Sequence, residues 1–302
     1  MSVSAAIDIG SNSLLLTVVD GEGRVLHDEA VVVGLGKGLG DGGRFRPDRA
    51  AFALALLHRY AERAAALGVR PEDVLVCATS GARRASDAAE FFAKVTAETG
   101  LRPRTISGEE EAELAFLGAA RGLNLGDGPR VVIDLGGGST EVVHGLGDTM
   151  VSRVSLEIGS VRLTEAFAAG DEVSLAQLDA LRAAVEAACA ALSPAPEGAV
   201  AVAVAGSATT LAAMTLGLTT YDGAKVHGAR VSRDALRGWA ERLRVASPAE
   251  RAQLAAVSPE RAPYLMAGAT VLAGVLSRLG LDGLTASDGG LRYGILRAAG
   301  RL

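Results

Sequence analysis

A duplicated, two-domain α/β fold is the architecture this sequence predicts, and three observations carry it. A run of apolar residues ending in Asp, a small-residue turn and a second apolar run occur at Ala6-Ile7-Asp8-Ile9-Gly10-Ser11-Asn12-Ser13. The same pattern returns at Val132-Ile133-Asp134-Leu135-Gly136-Gly137-Gly138-Ser139-Thr140. Each copy reads as strand, tight turn, strand. Each is followed by a third strand and then by alternating helices and strands, so the two halves repeat at the level of architecture. A chain of 302 residues is long enough for two domains with buried cores.

In order, strands are expected at Ala5–Asp8, Leu14–Asp20 and Arg24–Val33, with Gly21-Glu22-Gly23 as the turn between the last two. A glycine-rich stretch, Gly34–Gly43, reads as a surface loop. Pro47–Leu67 has helical periodicity, with Pro47 and Asp48 suited to its first turn. A strand at Val74–Thr79, a helix at Asp87–Glu98 and a short strand at Thr105–Ser107 follow. A helix over Ser107–Ala120 then carries acids in its first turn, where the helix dipole favours them. Gly126-Asp127-Gly128 is a turn signal, and the domain boundary is set there: residues 1–125, then 126–288, with a final helix over 289–302 returning to the first domain. The second half restarts at the Asp134 hairpin. It continues with strands near Val151–Leu156 and Ala201–Ala205, a helix from Thr209, a long helix over Ala262–Leu279, a strand at Leu284–Ala286 and the last helix from Gly289.

Composition excludes several classes. Hydrophobic residues at 49% and charged residues at 22% are those of a soluble globular protein. Aromatic content of 4% gives no platform for stacking nucleic-acid bases, and a net charge of −5 argues against nucleic-acid or anionic-membrane partners. Cys77 and Cys189, far apart in apolar contexts, read as buried thiols. His27, His58, His144 and His227 show no ligand spacing. The apolar stretch near Leu265–Leu276 is broken by glycines and ended by Arg278, too short to span a bilayer. No signal-peptide pattern opens the chain, so a cytoplasmic location is expected.

The two hairpins have a chemical reading. Glycine lets backbone N–H groups approach an anion, and successive N–H groups form an anion-binding nest. Gly10, Ser11, Asn12 and Ser13 form one such turn, and Gly136, Gly137, Gly138, Ser139 and Thr140 the other. The serine, asparagine and threonine side chains add donors. Asp8 and Asp134, at the strand ends, suit a divalent cation that offsets phosphate charge. Either motif alone reads as well as an ordinary hairpin turn; two copies opening two matched halves favour phosphate.

These hairpins resemble the first two phosphate motifs of the superfamily of actin, sugar kinases and heat-shock-chaperone ATPases. Val202-Ala203-Val204-Ala205-Gly206-Ser207-Ala208-Thr209-Thr210-Leu211 resembles its third motif, which adds Gly206 and Ser207 to the phosphate-binding set. Together with Ile106-Ser107-Gly108-Glu109-Glu110-Glu111-Ala112, Ser155–Leu163 and Ser287-Asp288-Gly289-Gly290-Leu291-Arg292, the pattern resembles the exopolyphosphatase and guanosine-pentaphosphate phosphatase family over essentially the whole chain. The resemblance implies ribonuclease-H-like (actin-like ATPase) domains with an interdomain cleft. It also implies Mg2+ or another divalent cation, and a substrate that is inorganic polyphosphate or guanosine pentaphosphate.

The family's catalytic base falls on Glu111, and a phosphate-contacting arginine on Arg83. Glu141 matches a family acid associated with metal or water positioning, and joins Asp8 and Asp134 as a metal residue. Glu109 reads as helix-dipole dressing, Glu110 is open between that and function, and Arg84 reads as a solvated neighbour. Two departures stand out: Glu113 where the family often has arginine, and Ser80-Gly81 where it has Ser-Ala. The expected activity is release of terminal orthophosphate from polyphosphate, with guanosine pentaphosphate hydrolysis as the near alternative. A sugar or acid kinase, or an actin-like nucleotide-binding module, is the distant one. Oligomeric state is open, with a homodimer the assembly to test.

Overall fold

The computed structural model describes residues 3–302 except 41, 169, 171 and 255, and it divides into two compact units, Met1–Gly118 with Leu291–Leu302, and Ala119–Gly290. In the first unit, β1 (Ser4–Ile9), β2 (Ser13–Val19) and β3 (Val25–Val32) form an antiparallel meander. Helix α1 (Pro47–Ala66) leads to β4 (Leu75–Ala78), and α2 (Ser80–Arg84) and α3 (Ala88–Thr99) lead to β5 (Arg104–Thr105). Helix α4 (Gly108–Ala119) ends this run. Strand β4 joins β1 in parallel and β5 joins β4 in parallel, giving the order β3-β2-β1-β4-β5.

The second unit repeats the plan. Strands β6 (Pro129–Leu135), β7 (Thr140–Leu146) and β8 (Thr149–Leu156) form the meander. Helices α5 (Ser160–Phe167) and α6 (Leu175–Cys189) precede β9 (Val200–Val204), and α7 (Ala205–Thr215) and α8 (Gly223–Val226) precede β10 (Arg230–Ser232). Helices α9 (Arg233–Val245), α10 (Pro248–Ala252) and α11 (Leu265–Leu279) then lead to β11 (Gly283–Ala286). The order is β10-β11-β9-β6-β7-β8, so β8-β7-β6-β9-β11 reproduces the first sheet and β10 adds an antiparallel edge strand that the sequence did not signal. Helix α12 (Leu291–Ala298) belongs to the first unit.

Strand alternation decides which side of each sheet a residue serves. In β1, Ala5, Ile7 and Ile9 face a core formed with α1 and α3, through residues such as Leu57, Tyr60, Phe91 and Val95. Ala6 faces the opposite cluster, with Leu114 of α4 and Leu291, Ile295 and Leu296 of α12. Asp8 has the parity of Ala6, so it lies on the α4 side of the sheet. In β6, Val131, Ile133 and Leu135 enter the core of the second unit, which leaves Asp134 on the other face.

Three expectations are corrected. The loop over 34–43 is not a surface loop at its start: Gly34, Leu35 and Gly36 are buried, while Asp41 lies outside the described residues. Helix α7 begins at Ala205 rather than Thr209, because the turn into it is made by Ala205 itself, whose φ of 68° lies in the left-handed region. The segment Ala262–Leu279 is, by length and composition alone, long and apolar enough to cross a membrane, with a mean hydropathy of 1.3. It is also 78% buried within the structure, and Leu265, Val271, Leu272, Val275 and Leu276 are fully covered, which makes it a core helix. Each such side chain contributes about 2 kcal/mol of hydrophobic stabilisation.

Candidate active site

Both hairpin turns are built to the same rule. Gly10 N–H donates to Ser13 O at 3.0 Å, and Gly136 N–H donates to Ser139 O at 3.0 Å. A Cβ on Gly10 would stand 2.9 Å from Ser13 O, which no side chain tolerates. Behind each turn a second segment takes up its carbonyls. In the first unit, Gly36 N–H donates to Ser11 O at 2.7 Å, and Val33 and Gly34 N–H both donate to Asn12 O at 2.8 Å. In the second, Ser160 N–H donates to Gly136 O, and Val161 and Arg162 N–H donate to Gly137 O, each at 3.0 Å.

This backing has a consequence for anion binding. A trans peptide holds C=O and the following N–H antiparallel. Fixing Ser11 O turns the Asn12 N–H away from the backing segment, and fixing Gly136 O and Gly137 O does the same for the N–H groups of Gly137 and Gly138. That orientation gives each turn outward-facing N–H groups, the geometry of an anion-binding nest. Gly159 makes the second one possible: a Cβ there would lie 2.4 Å from Gly137 C and O. The roles of Gly36 and Gly159 as backing residues escaped the sequence reading, because nothing in a linear pattern announces a contact between backbones.

Glu111 sits one residue into the helical hydrogen bonding of α4, its N–H donating to Ser107 O at 2.9 Å. It is buried, with a side chain 7% exposed, in contrast to exposed Glu109 and Glu113. Arg83, at the end of α2, donates through Nη1 to Glu111 Oε2 at 2.6 Å and to Ile106 O at 3.1 Å. The structure therefore brings the expected base and the expected arginine together. Glu110, left open by the sequence, pairs with Arg104 at 2.6 Å. Arg84 is corrected from a solvated residue to an anchor, since its Nη1 donates to Leu39 O at 2.8 Å and holds the glycine loop. Gly81 follows from close packing: a Cβ there would meet Ser11 Oγ at 3.1 Å and Ser11 Cα at 3.3 Å.

In the second unit Asp134 and Glu141 stand directly opposite each other on β6 and β7. Glu141 is fully buried rather than a solvent-facing strand residue, and Ser155 Oγ, opposite it on β8, donates to its Oε1 at 2.8 Å. Among the described residues no group of three or more His, Cys, Asp or Glu side chains gathers as a metal cage. Two carboxylates on one strand pair nevertheless fit a hard cation that takes its other ligands from water and phosphate, as Mg2+ does. Asp8 holds the equivalent strand-end place in the first unit.

Gly206 and Ser207 open α7. Arg261, which the sequence reading passed over, lies flush on Gly206, where a Cβ would stand 1.4 Å from Arg261 Nη1. Beside it, Tyr221 donates to Asp288 Oδ1 at 3.3 Å, and burial, with Asp288 next, pushes its phenol up to about 12, so it stays a donor at neutral pH. The thiols of Cys77 and Cys189 are each pushed up by burial to about 11 and stay protonated at neutral pH.

Two ribonuclease-H-like units, each with a backed glycine hairpin, define a protein of the actin-like ATPase fold that carries a buried acid–arginine pair. The chain belongs to the Ppx/GppA phosphatase family, whose sequence profile matches residues 15–299. It is similar to Exopolyphosphatase 2 of Mycobacterium tuberculosis, with 37% identity over 311 aligned positions and 96% of each chain covered. Among solved structures, an exopolyphosphatase-like protein superposes with a TM-score of 0.92 at 30% identity, covering 99% of both chains. The Aquifex aeolicus member of the Ppx/GppA family superposes with a TM-score of 0.81 at 30% identity, covering 98% of this chain and 97% of its own.

Proposed function

We propose that this protein is an exopolyphosphatase that hydrolyses the terminal phosphoanhydride bond of inorganic polyphosphate and releases orthophosphate. The single observation that carries the reading is the buried Arg83–Glu111 pair beside a phosphate-type turn in the first unit. The identity to Exopolyphosphatase 2 supports the choice of substrate.

In this reading Arg83 engages Glu111 Oε2, and the Glu111 carboxylate orients a water molecule. The water oxygen attacks the terminal phosphorus and its proton passes to the Glu111 carboxylate. The bridging P–O bond breaks, and the electron pair leaves with the shortened chain. The Arg83 guanidinium lies beside the transferring group and stabilises the charge on its oxygens. Gly10, Ser11, Asn12 and Ser13 in one unit, and Gly136–Thr140, Gly206 and Ser207 in the other, bind phosphoryl groups. Asp134 and Glu141 would hold a divalent cation, Mg2+ in the simplest case. When bound, that cation offsets the negative charge of the phosphate chain.

The test is phosphate release from polyphosphate of defined length and from guanosine pentaphosphate, side by side, with the wild-type chain and with Glu111→Gln. We expect orthophosphate from polyphosphate, a loss of at least about a hundredfold in Glu111→Gln, and an unchanged fold. Equal turnover by the variant overturns the role of Glu111. Preference for the nucleotide replaces polyphosphate with guanosine pentaphosphate as substrate.

A further inference from the structure

Ser80 is the first residue of α2, and it is 3% exposed. Its hydroxyl is buried and has no hydrogen-bond partner among the described residues. Ser11 Oγ, in a residue 4% exposed, shares both properties. Ser11 packs against the residue that follows Ser80. The position a Cβ would take on Gly81, the residue after Ser80, is 3.1 Å from Ser11 Oγ. Three residues after Ser80, Arg83 reaches Glu111.

Buried hydroxyls in folded proteins are almost always hydrogen-bonded, because leaving one unmade forfeits its hydration without return. Two such hydroxyls, on segments that pack together from different parts of the chain, need a reason. Helix capping does not supply it. Thr79, which precedes the helix, makes no side-chain cap, and neither does Ser80. Packing does not supply it either, since alanine would fill the same space without the polar atom. A ligand oxygen does supply it. Its sign follows from the neighbourhood: the turned-out Asn12 N–H and the Arg83 guanidinium both favour negative charge.

We propose that the Ser80 hydroxyl is a substrate-binding group that donates a hydrogen bond to a non-bridging phosphoryl oxygen. The inference rests on the hydrolase reading and adds a residue to it. Ser80 lies in a segment otherwise noted only for its arginine.

The experiment compares wild type with Ser80→Ala in two ways: kcat and KM on polyphosphate of defined length, and Tm with and without orthophosphate. A hydrogen bond to a charged oxygen corresponds to about a tenfold rise in KM or more, with kcat changing less. Without phosphate, the Tm of Ser80→Ala stays level or rises, because an unsatisfied group has been removed. The increase in Tm produced by orthophosphate shrinks. An unchanged KM overturns the proposal. So does a lower Tm in the absence of phosphate, which marks a hydroxyl that serves the fold. If the wild-type chain itself neither releases phosphate nor responds to it, the hydrolase reading fails first.

Discussion

Arg83 Nη1 bonds Glu111 Oε2 at 2.6 Å while also bonding the carbonyl of Ile106 at 3.1 Å, so one nitrogen ties a buried carboxylate to the strand-to-helix connection before it. Both side chains are largely buried, at 21% and 7% exposure. Arg83→Ala leaves a buried carboxylate without its cation, at a cost of about 3 kcal/mol. Removing both charges in Arg83→Ala/Glu111→Ala should return much of that loss, a coupling that a double-mutant cycle in denaturant measures directly. Arg83→Lys keeps the charge but not the planar fork, and we expect kcat to fall more than stability does.

Gly159 and Gly137 touch backbone to backbone, and that contact sets how the second phosphate turn faces. Gly159→Ala introduces about 1–3 kcal/mol of overpacking. It also displaces the turn, and misplacement on the scale of an ångström costs about a hundredfold in rate. Gly128→Ala, where nothing lies within 4 Å of the new methyl group, is the control and should behave as wild type. Equal activity in both variants would show that the turn tolerates movement.

Helix α12 acts as a strut for the helix that carries Glu111. A Cβ on Gly294 would fall 1.7 Å from Leu114 O, one turn beyond Glu111 on α4. The strut is locked at its start by Asp28, whose Oδ2 accepts from Arg292 Nη2 at 2.9 Å and from Tyr293 OH at 2.8 Å, while Oδ1 accepts from Thr17 Oγ1 at 3.0 Å. Asp28→Asn turns one acceptor into a donor facing donors, with an expected loss of about 1.5–3 kcal/mol in urea unfolding. Gly294→Ala should lower kcat with a smaller change in KM, since it moves the proposed base, Glu111, rather than the hairpin turns proposed to bind phosphate.

Much of this was legible in the chain, and the limits have a physical pattern. The two glycine hairpins and the succession of strands along the chain are local features, written in alternation and turn residues, whereas Glu111 stood out from its acidic neighbours only through the family resemblance. Arg261 was missed because its partner is the bare backbone of Gly206, which no side-chain pattern marks. The lock between Asp28 and Arg292 joins positions 264 residues apart. The loop after β3 read as surface because glycines usually signal exposure, whereas here they allow the backbone to press against Ser11. The burial of Ser80 without a partner depends on segments packed around it from elsewhere in the chain, which its own neighbours in sequence do not mark.

Asp134 and Glu141 face each other across a strand pair, a placement in which like charges repel. Ser155 donates to one oxygen of Glu141, which fixes that carboxylate's orientation. A bound divalent cation converts the repulsion into attraction, so folding and cation binding should be linked. Titrating Mg2+ into the phosphate-free protein should raise its Tm, and a chelator should reverse the change. Glu141→Gln removes one of the two charges. It should give a Tm in the absence of cation at or above that of wild type, together with a much smaller response to Mg2+. The expected loss of cation affinity is about tenfold or more, the scale of one lost charged ligand contact. A wild-type Tm indifferent to Mg2+, or a full response in Glu141→Gln, would remove these two acids from the cation's coordination and leave their juxtaposition to the fold alone.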